Sequence, residues 1–276
     1  MSKLSIDPQE INKRLYPLFH IHEPLASPSE WKEEHISQFR QQGFLAIEGI
    51  LSAAEIESAK QALSDIIAAP DAKGLVEFTT PRGELHTVEE MELAVRKVYK
   101  FVDGEERLAQ ISKHSTMLSI VERLLGESSK LVQDMALLKP PHGGGEKPWH
   151  QDMAYGPLAF DKSVLGVWIA LDEAGIDNGC MHVIPRSHME GATPHYALRD
   201  WQICDANVPV ERNIAVPLKP GGILIFHGLL YHGTPYNFSS KRRRALQFHY
   251  APESVVKLGM QEYKRIFTNE LTNAEC

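Results

Sequence analysis

Trp149-His150-Gln151-Asp152 is the stretch that decides how this chain is read. Its histidine and aspartate are two positions apart, and on a β-strand residues i and i+2 project to the same face. A strand over 149–155 would therefore offer two neighbouring ligand side chains to one ion. A further imidazole from a distant strand would complete two histidines and a carboxylate, the set that holds non-haem Fe(II) on one face and leaves other coordination positions open. His232 follows the apolar run Ile223-Leu224-Ile225-Phe226 and is placed to supply it. With 13 histidines in the chain, a lone His-x-Asp pair arises easily by chance. This one follows a loop containing Pro140-Pro141 and Gly143-Gly144-Gly145, which would set it at a strand start near a barrel mouth. His227 is the rival third ligand, but it is five residues from His232, so strand parity lets only one of the two face inward.

Arg243 lies 11 residues beyond His232, on the strand that follows. A co-substrate that chelates Fe(II) through a 2-oxo acid end leaves a far carboxylate to be held, and the planar fork of a guanidinium pairs with it bidentately. Buried without an anion, the same group would be costly. Lys241 and Arg242 read as a solvated basic turn, whereas Arg243 shares strand parity with Ala245 and Gln247 and is expected to face inward. His249 has the same parity; it reads, with His182, His188 and His195, as making ordinary hydrogen bonds.

Working outward, the first 128 residues read as mainly helical. Residues 1–30 are Pro-rich and expected to form an arm over the body. A helix over 31–42 starts at Ser29 or Ser27 and stops at Gly43, and Phe44-Leu45-Ala46-Ile47 is a short strand. Ser52 and Glu55 form a capping box, followed by a helix with Ile56, Ala59, Leu63, Ile66 and Ile67 on one face and a stop at Pro70. Residues 71–88 read as loop, 89–100 and 105–126 as helix. Strands then follow over 131–139, 149–155, 164–171, 180–184, 214–218, 223–226 and 244–250, separated by turn signals. The pattern predicts an α+β chain with a mainly β core, a barrel or double-sheet jelly roll buttressed by helices. The chain is expected to be one domain over 1–276, with helical support over 1–128, a core over 129–255 and a tail over 256–276.

At 276 residues the chain can bury a core without staples. A net charge of −7 argues against nucleic acid and anionic membrane as partners. No apolar run of about 20 residues could span a bilayer. The start Met1-Ser2-Lys3-Leu4 lacks a signal-peptide run, and the end Asn273-Ala274-Glu275-Cys276 is not a Ser-Lys-Leu address. Cys180, Cys204 and Cys276 have no paired spacing and read as reduced thiols in a cytoplasmic protein.

The sequence resembles the phytanoyl-CoA dioxygenase family of Fe(II)/2-oxoglutarate oxygenases. The marks are His150-Gln151-Asp152, Val167-Trp168-Ile169-Ala170-Leu171, Asn178-Gly179-Cys180, Ile184-Pro185-Arg186-Ser187-His188, Tyr231-His232-Gly233 and Arg243-Arg244-Ala245-Leu246. The match runs from Leu131 to Ala251, with weaker similarity back to Lys97. The resemblance implies a double-stranded β-helix of the cupin type, with iron held by His150, Asp152 and His232. It implies that Arg243 and Thr234 bind the distal carboxylate of 2-oxoglutarate, and that Lys97, Met135, Gln151 and Trp168 line or touch that co-substrate. It further implies hydroxylation of an unactivated C–H of a small molecule, O₂ being consumed and 2-oxoglutarate leaving as succinate and CO₂. Asp152 favours oxygen insertion over halogenation, which in relatives of this fold needs a small residue there. The same chemistry can also desaturate, epimerise or close a ring, and a jelly roll can bind metal without catalysis. A zinc hydrolase would leave Arg243 unexplained. Trp149 and the basic turn hint at an anionic substrate, and Tyr155, Arg186 and the loop over 189–212, with Tyr196 and Trp201, are expected at the mouth.

Overall fold

Helices dominate the first half and strands the second in the computed structural model, which describes residues 7–69 and 75–276. The readings made on Met1–Leu4 and of a stop at Pro70 lie outside the described residues. The arm expected over 1–30 instead holds a helix, α1 (Pro8–Leu15), capped by Asp7, whose side chain accepts from the Gln9 N–H at 2.9 Å. Only two apolar residues, Ile11 and Leu15, mark its buried face, too few to show a period. After β1 (His20–Ile21), a 3₁₀ turn over Pro28–Glu30 takes up Ser29, so the next helix, α2 (Glu34–Gln42), starts later than expected and without a side-chain cap. It ends at Gly43, whose φ of +86° is the left-handed conformation that favours glycine.

Phe44–Ile47 forms β2, and Ser52 and Glu55 cap α3 (Ala53–Ala68) reciprocally. Two expectations fail next. Part of the loop over 71–88 is β3 (Leu75–Phe78), and the helix over 89–100 stops early, α4 (Val88–Ala94) giving way to β4 (Val95–Tyr99). Hydrogen bonding of β4 to the next strand, Lys97 opposite Leu137, outweighs the helical period there. The helical stretch over 105–126 is two helices, α5 (Glu106–Ser112) and α6 (Ser115–Leu125).

The strands that follow are β5 (Ser129–Lys139), β6 (Lys147–His150), β7 (Leu165–Ala170), β8 (Met181–Val183), β9 (His195–Ala197), β10 (Trp201–Ile203), β11 (Ile214–Val216), β12 (Ile223–His227), β13 (His232–Thr234) and β14 (Arg243–Pro252). Together with β1–β4 they form a seven-stranded sheet, β2-β12-β7-β14-β5-β4-β3, a five-stranded sheet, β1-β11-β8-β13-β6, and a separate pair, β9-β10, all antiparallel except for β1 with β11. The expected tail over 256–276 carries α7 (Met260–Phe267), which buries Phe267 beside Met153 and Leu158.

The alternation along β7 shows how the layers are held. Val167 and Ile169 pack with Leu63, Ile67, Leu108, Ile120 and Val121 of α3, α5 and α6. Trp168 and Ala170 point the other way, to Met181, Val183, Ala215 and Val216 of the five-stranded sheet. Both faces are covered, so β7 reads as a continuous apolar run. Each fully buried Leu or Ile in these layers contributes about 1.5–3 kcal/mol.

Cys204 and Cys276 are joined by a disulfide, against the expectation of reduced thiols; Cys180 is free and buried. The pair is separated by 72 residues, and only the return of the tail past β9, where Thr268 bridges His195, brings the sulfurs together. No helix among the described residues is long and apolar enough to cross a membrane.

Candidate active site

The strand carrying the decisive stretch ends sooner than parity assumed. β6 stops at His150, Gln151 is extended, and Asp152 opens a 3₁₀ turn over Asp152–Ala154. Strand end plus turn, not strand alternation, brings Asp152 beside His150. His232 enters from β13 as the direct antiparallel partner of His150, with ring centroids 4.1 Å apart. One ligand atom from each of His150, Asp152 and His232 lies within 4.8 Å of the others, and all three residues are buried.

The proton positions in this cluster follow from its backbone contacts. His150 donates Nδ1–H to the Pro148 carbonyl at 2.8 Å, and His232 donates Nδ1–H to the Leu230 carbonyl at 2.9 Å. Both Nε2 atoms are then bare lone pairs, and they face Asp152 Oδ1 at 3.4 and 3.5 Å. Burial, with His232 alongside, pushes His150 down to about 3, so its ring is neutral at physiological pH. Burial by itself would raise Asp152, but the positive charge that gathers at this cluster prevails and holds the carboxyl well below the usual carboxylate range, so a cation is favoured beside it. Two imidazole lone pairs and a carboxylate oxygen converge with no proton between them, an arrangement that suits a cation of the first transition row.

A cavity of about 390 Å³ opens from this cluster. At one end Arg243, 2 % exposed, donates from Nη1 to the Leu137 carbonyl at 3.1 Å and sits 5.3 Å over the Trp168 ring. Its Nε and the Thr234 hydroxyl are buried without hydrogen-bond partners, and burial brings the guanidinium down to about 10. Lys139, opposite Arg243 on β5, is also buried, and burial beside Arg243 pushes it well below the usual lysine range; its Nζ donates to the carbonyls of Gly145 and Pro235, both at 2.5 Å, with that of Thr234 at 3.4 Å. The buried guanidinium and a spare hydroxyl, with no carboxylate among their hydrogen-bond partners and a second buried nitrogen base beside them, form a receptor for an anion.

The other end is built by Thr79, Leu93, Val95, Arg96, Lys97 and Tyr99. Arg96 and Lys147 share Asp200 at 2.8 and 2.7 Å, and Arg96 also meets Glu77 at 3.3 Å. Lys97 is pushed down to about 8 by burial and by the charges of Lys147 and Arg96. Tyr155 lines the cavity and accepts from Lys147 at 2.5 Å.

Of the residues expected beside a co-substrate, Arg243, Thr234, Lys97 and Met135 line the cavity. Gln151 and Trp168 do not. The Gln151 amide donates to the carbonyls of Gly191 and Leu229, both at 2.8 Å, and its oxygen accepts from the Thr193 N–H at 2.9 Å, so it ties the loops flanking both histidines. Trp168 lies in the inter-sheet core beneath Arg243. Arg186, expected at the mouth, sits outside the lining, at a backbone φ of +69° where its N–H meets the Gln42 carbonyl. His227 turns away from the cluster to Ser163, with Nε2 2.5 Å from its hydroxyl. The 189–212 loop contains a hairpin, β9 with β10, followed by two 3₁₀ turns, and its Trp201 donates to the Ala154 carbonyl at 2.9 Å.

Three buried contacts escaped the sequence. His195 accepts the Gln151 N–H at 3.0 Å and so holds the turn between His150 and Asp152. Gln247 and His249 both reach the carboxylate of Asp152. Their shared parity with Arg243 was the available signal; for Lys139 there was none.

Comparison with known proteins places this geometry. Residues 39–245 match the family model described as phytanoyl-CoA dioxygenase. Phytanoyl-CoA dioxygenase domain-containing protein 1 of Bos taurus is 27 % identical over 265 residues, covering 81 % of this chain and 89 % of that protein. Among solved structures, EvdO2 from Micromonospora carbonacea var. aurantiaca, complexed with 2-oxoglutarate, superposes with a TM-score of 0.67 at 24 % identity, covering 83 % of this chain and 94 % of that one. The epimerase SnoN in complex with Fe3+, alpha ketoglutarate and nogalamycin RO gives a TM-score of 0.63 at 20 % identity, covering 84 % and 88 %.

Proposed function

This chain belongs to the phytanoyl-CoA dioxygenase family, and on that premise we propose that it is a non-haem Fe(II)/2-oxoglutarate-dependent oxygenase hydroxylating an unactivated C–H of a small molecule. The observation that carries the reading is the pairing, in one cavity, of a proton-free His-Asp-His cluster with a buried arginine and hydroxyl that lack an anion. A metal site alone would not need Arg243, and an anion site alone would not need the cluster. The two facing sheets and their antiparallel pairing support a double-stranded β-helix, and the helices packed on the seven-stranded sheet support a single unit.

His150, Asp152 and His232 would hold the iron through Nε2, Oδ1 and Nε2. Arg243 and Thr234 would hold the distal carboxylate of 2-oxoglutarate, with Lys139 Nζ holding the Gly145 and Pro235 carbonyls beside them. When bound, Fe(II) with 2-oxoglutarate and O₂ supplies an oxidant able to take hydrogen from an unactivated C–H. The protein's part is to fix these groups and exclude water, which the apolar wall of Met135, Leu137, Leu158 and Met181 does. Three cations at the entrance, Arg96, Lys97 and Lys147, face two carboxylates, Glu77 and Asp200. That surplus of positive charge suits the co-substrate and an anionic substrate alike.

The test is anaerobic titration with Fe(II) and 2-oxoglutarate, followed by the visible charge-transfer band. Arg243→Ala should cost about 2–5 kcal/mol of co-substrate binding, roughly thirtyfold or more in Kd, with Fe(II) affinity retained. An unchanged 2-oxoglutarate affinity would remove the reason for choosing an oxygenase. A screen of candidate substrates for release of succinate would then find the second reactant, and its product would separate hydroxylation from epimerisation or ring closure.

A further inference from the structure

Asp152 has two carboxylate oxygens, and they face different partners. Oδ1 looks toward His150 and His232. Oδ2 is turned to β14, where His249 Nε2 lies at 2.7 Å and Gln247 Nε2 at 3.2 Å. Both residues are buried, at 1 % and 4 % exposure. They are i and i+2 on the strand that also carries Arg243.

The tautomer of His249 can be deduced. A bare Nε2 lone pair 2.7 Å from an ionised carboxylate oxygen would be repelled, so Nε2 carries the proton and donates it. The close approach of the Gln247 and His249 nitrogens, 3.0 Å, is then two donors converging on one acceptor. His249 Nδ1 is left buried with no partner. An imidazole held here only for packing would not need to aim a nitrogen at Oδ2 while another goes unsatisfied.

We propose that His249, assisted by Gln247, is a positioning residue that occupies Asp152 Oδ2 and so presents the carboxylate to the metal through Oδ1 alone. A carboxylate gripping with both oxygens would take up a coordination position that the co-substrate or O₂ needs. By donating to Oδ2, His249 also sets the angle at which Oδ1 enters the cluster. β14 would thus serve both co-substrate and metal, with Arg243 at its start and the carboxylate clamp two to three repeats of the pleat further on. The inference rests on the metal-holding half of the proposed function and is independent of 2-oxoglutarate.

The experiment uses Co(II) as the probe, without co-substrate. His249→Leu should weaken Co(II) binding at least about tenfold and change the ligand-field absorption spectrum. His249→Gln, whose amide nitrogen reaches where Nε2 does, should recover wild-type affinity to within about threefold together with the wild-type spectrum. A His249→Leu protein that binds Co(II) as tightly as wild type, with the same spectrum, overturns the proposal. Should that variant not fold, the wild-type protein still decides: nitrogen-15 spectra of the Zn(II)-loaded, histidine-labelled chain should show His249 protonated at Nε2, and protonation at Nδ1 overturns it. Tight Co(II) binding by the wild type, lost in His249→Leu and recovered in His249→Gln, with no 2-oxoglutarate binding to any of them, would instead count against the oxygenase reading and leave this one standing.

Discussion

Lys97 separates charge from position at the scale of one residue. The resemblance implies a place for Lys97 beside the co-substrate; the cavity lining does include it, from β4, where the sequence reads as helix. What the sequence could not give is its protonation, brought to about 8 by burial and by Lys147 and Arg96. An anion pairs with the ammonium form, which disappears as pH rises through that value. Affinity for 2-oxoglutarate is therefore expected to fall between pH 7 and pH 9, by up to about tenfold. Lys97→Met should bind more weakly at pH 7 and show no such slope. A wild-type titration that stays flat over this range would place Lys97 away from the co-substrate. For Gln151 and Trp168 the resemblance implies a place beside the co-substrate, but hydrogen bonds to Gly191, Leu229 and Thr193 and packing under Arg243 take the two side chains out of the cavity lining. Motif spacing does not say which way a side chain turns.

Among the elements, parity succeeded where a strand is long and failed where it is short. β14 has ten residues, and its alternation put Arg243 and Gln247 on the cavity side as expected. β6 has four, and Asp152 reaches the cluster only because the chain turns after His150. The loop before β6 has its own constraint. A Cβ on Gly144 would come within 2.9 Å of the Lys139 Cα, so the loop must lift off β5 if glycine is replaced. Gly144→Ala is expected to cost about 1–3 kcal/mol of stability, and to weaken 2-oxoglutarate binding because Lys139 would lose its grip on the Gly145 carbonyl. Urea unfolding and co-substrate titration check both; no change in either would mean that the loop does not position the anion end.

For the whole molecule, the two sheets meet face to face, and the C-terminal tail is tied across to β10 by Cys204 and Cys276. A disulfide closing a loop of this length contributes typically about 2–4 kcal/mol. Cys276→Ser should lower the unfolding free energy by that amount, and native alkylation without reductant should modify neither Cys204 nor Cys276; rapid labelling of both would show the thiols to be free. The chain's own residue pattern was enough for the helix-then-strand order, the capped α3 and the inward face of β14 with Arg243, because each leaves a local period, cap or spacing; the choice of His232 over His227 also needed the family resemblance. The tertiary structure alone decided the strand character of β4, the disulfide, the buried Lys139 and the donors on Asp152 Oδ2. Those depend on partners tens of residues away in the chain, and no local pattern encodes which distant group will be adjacent once two sheets close on each other.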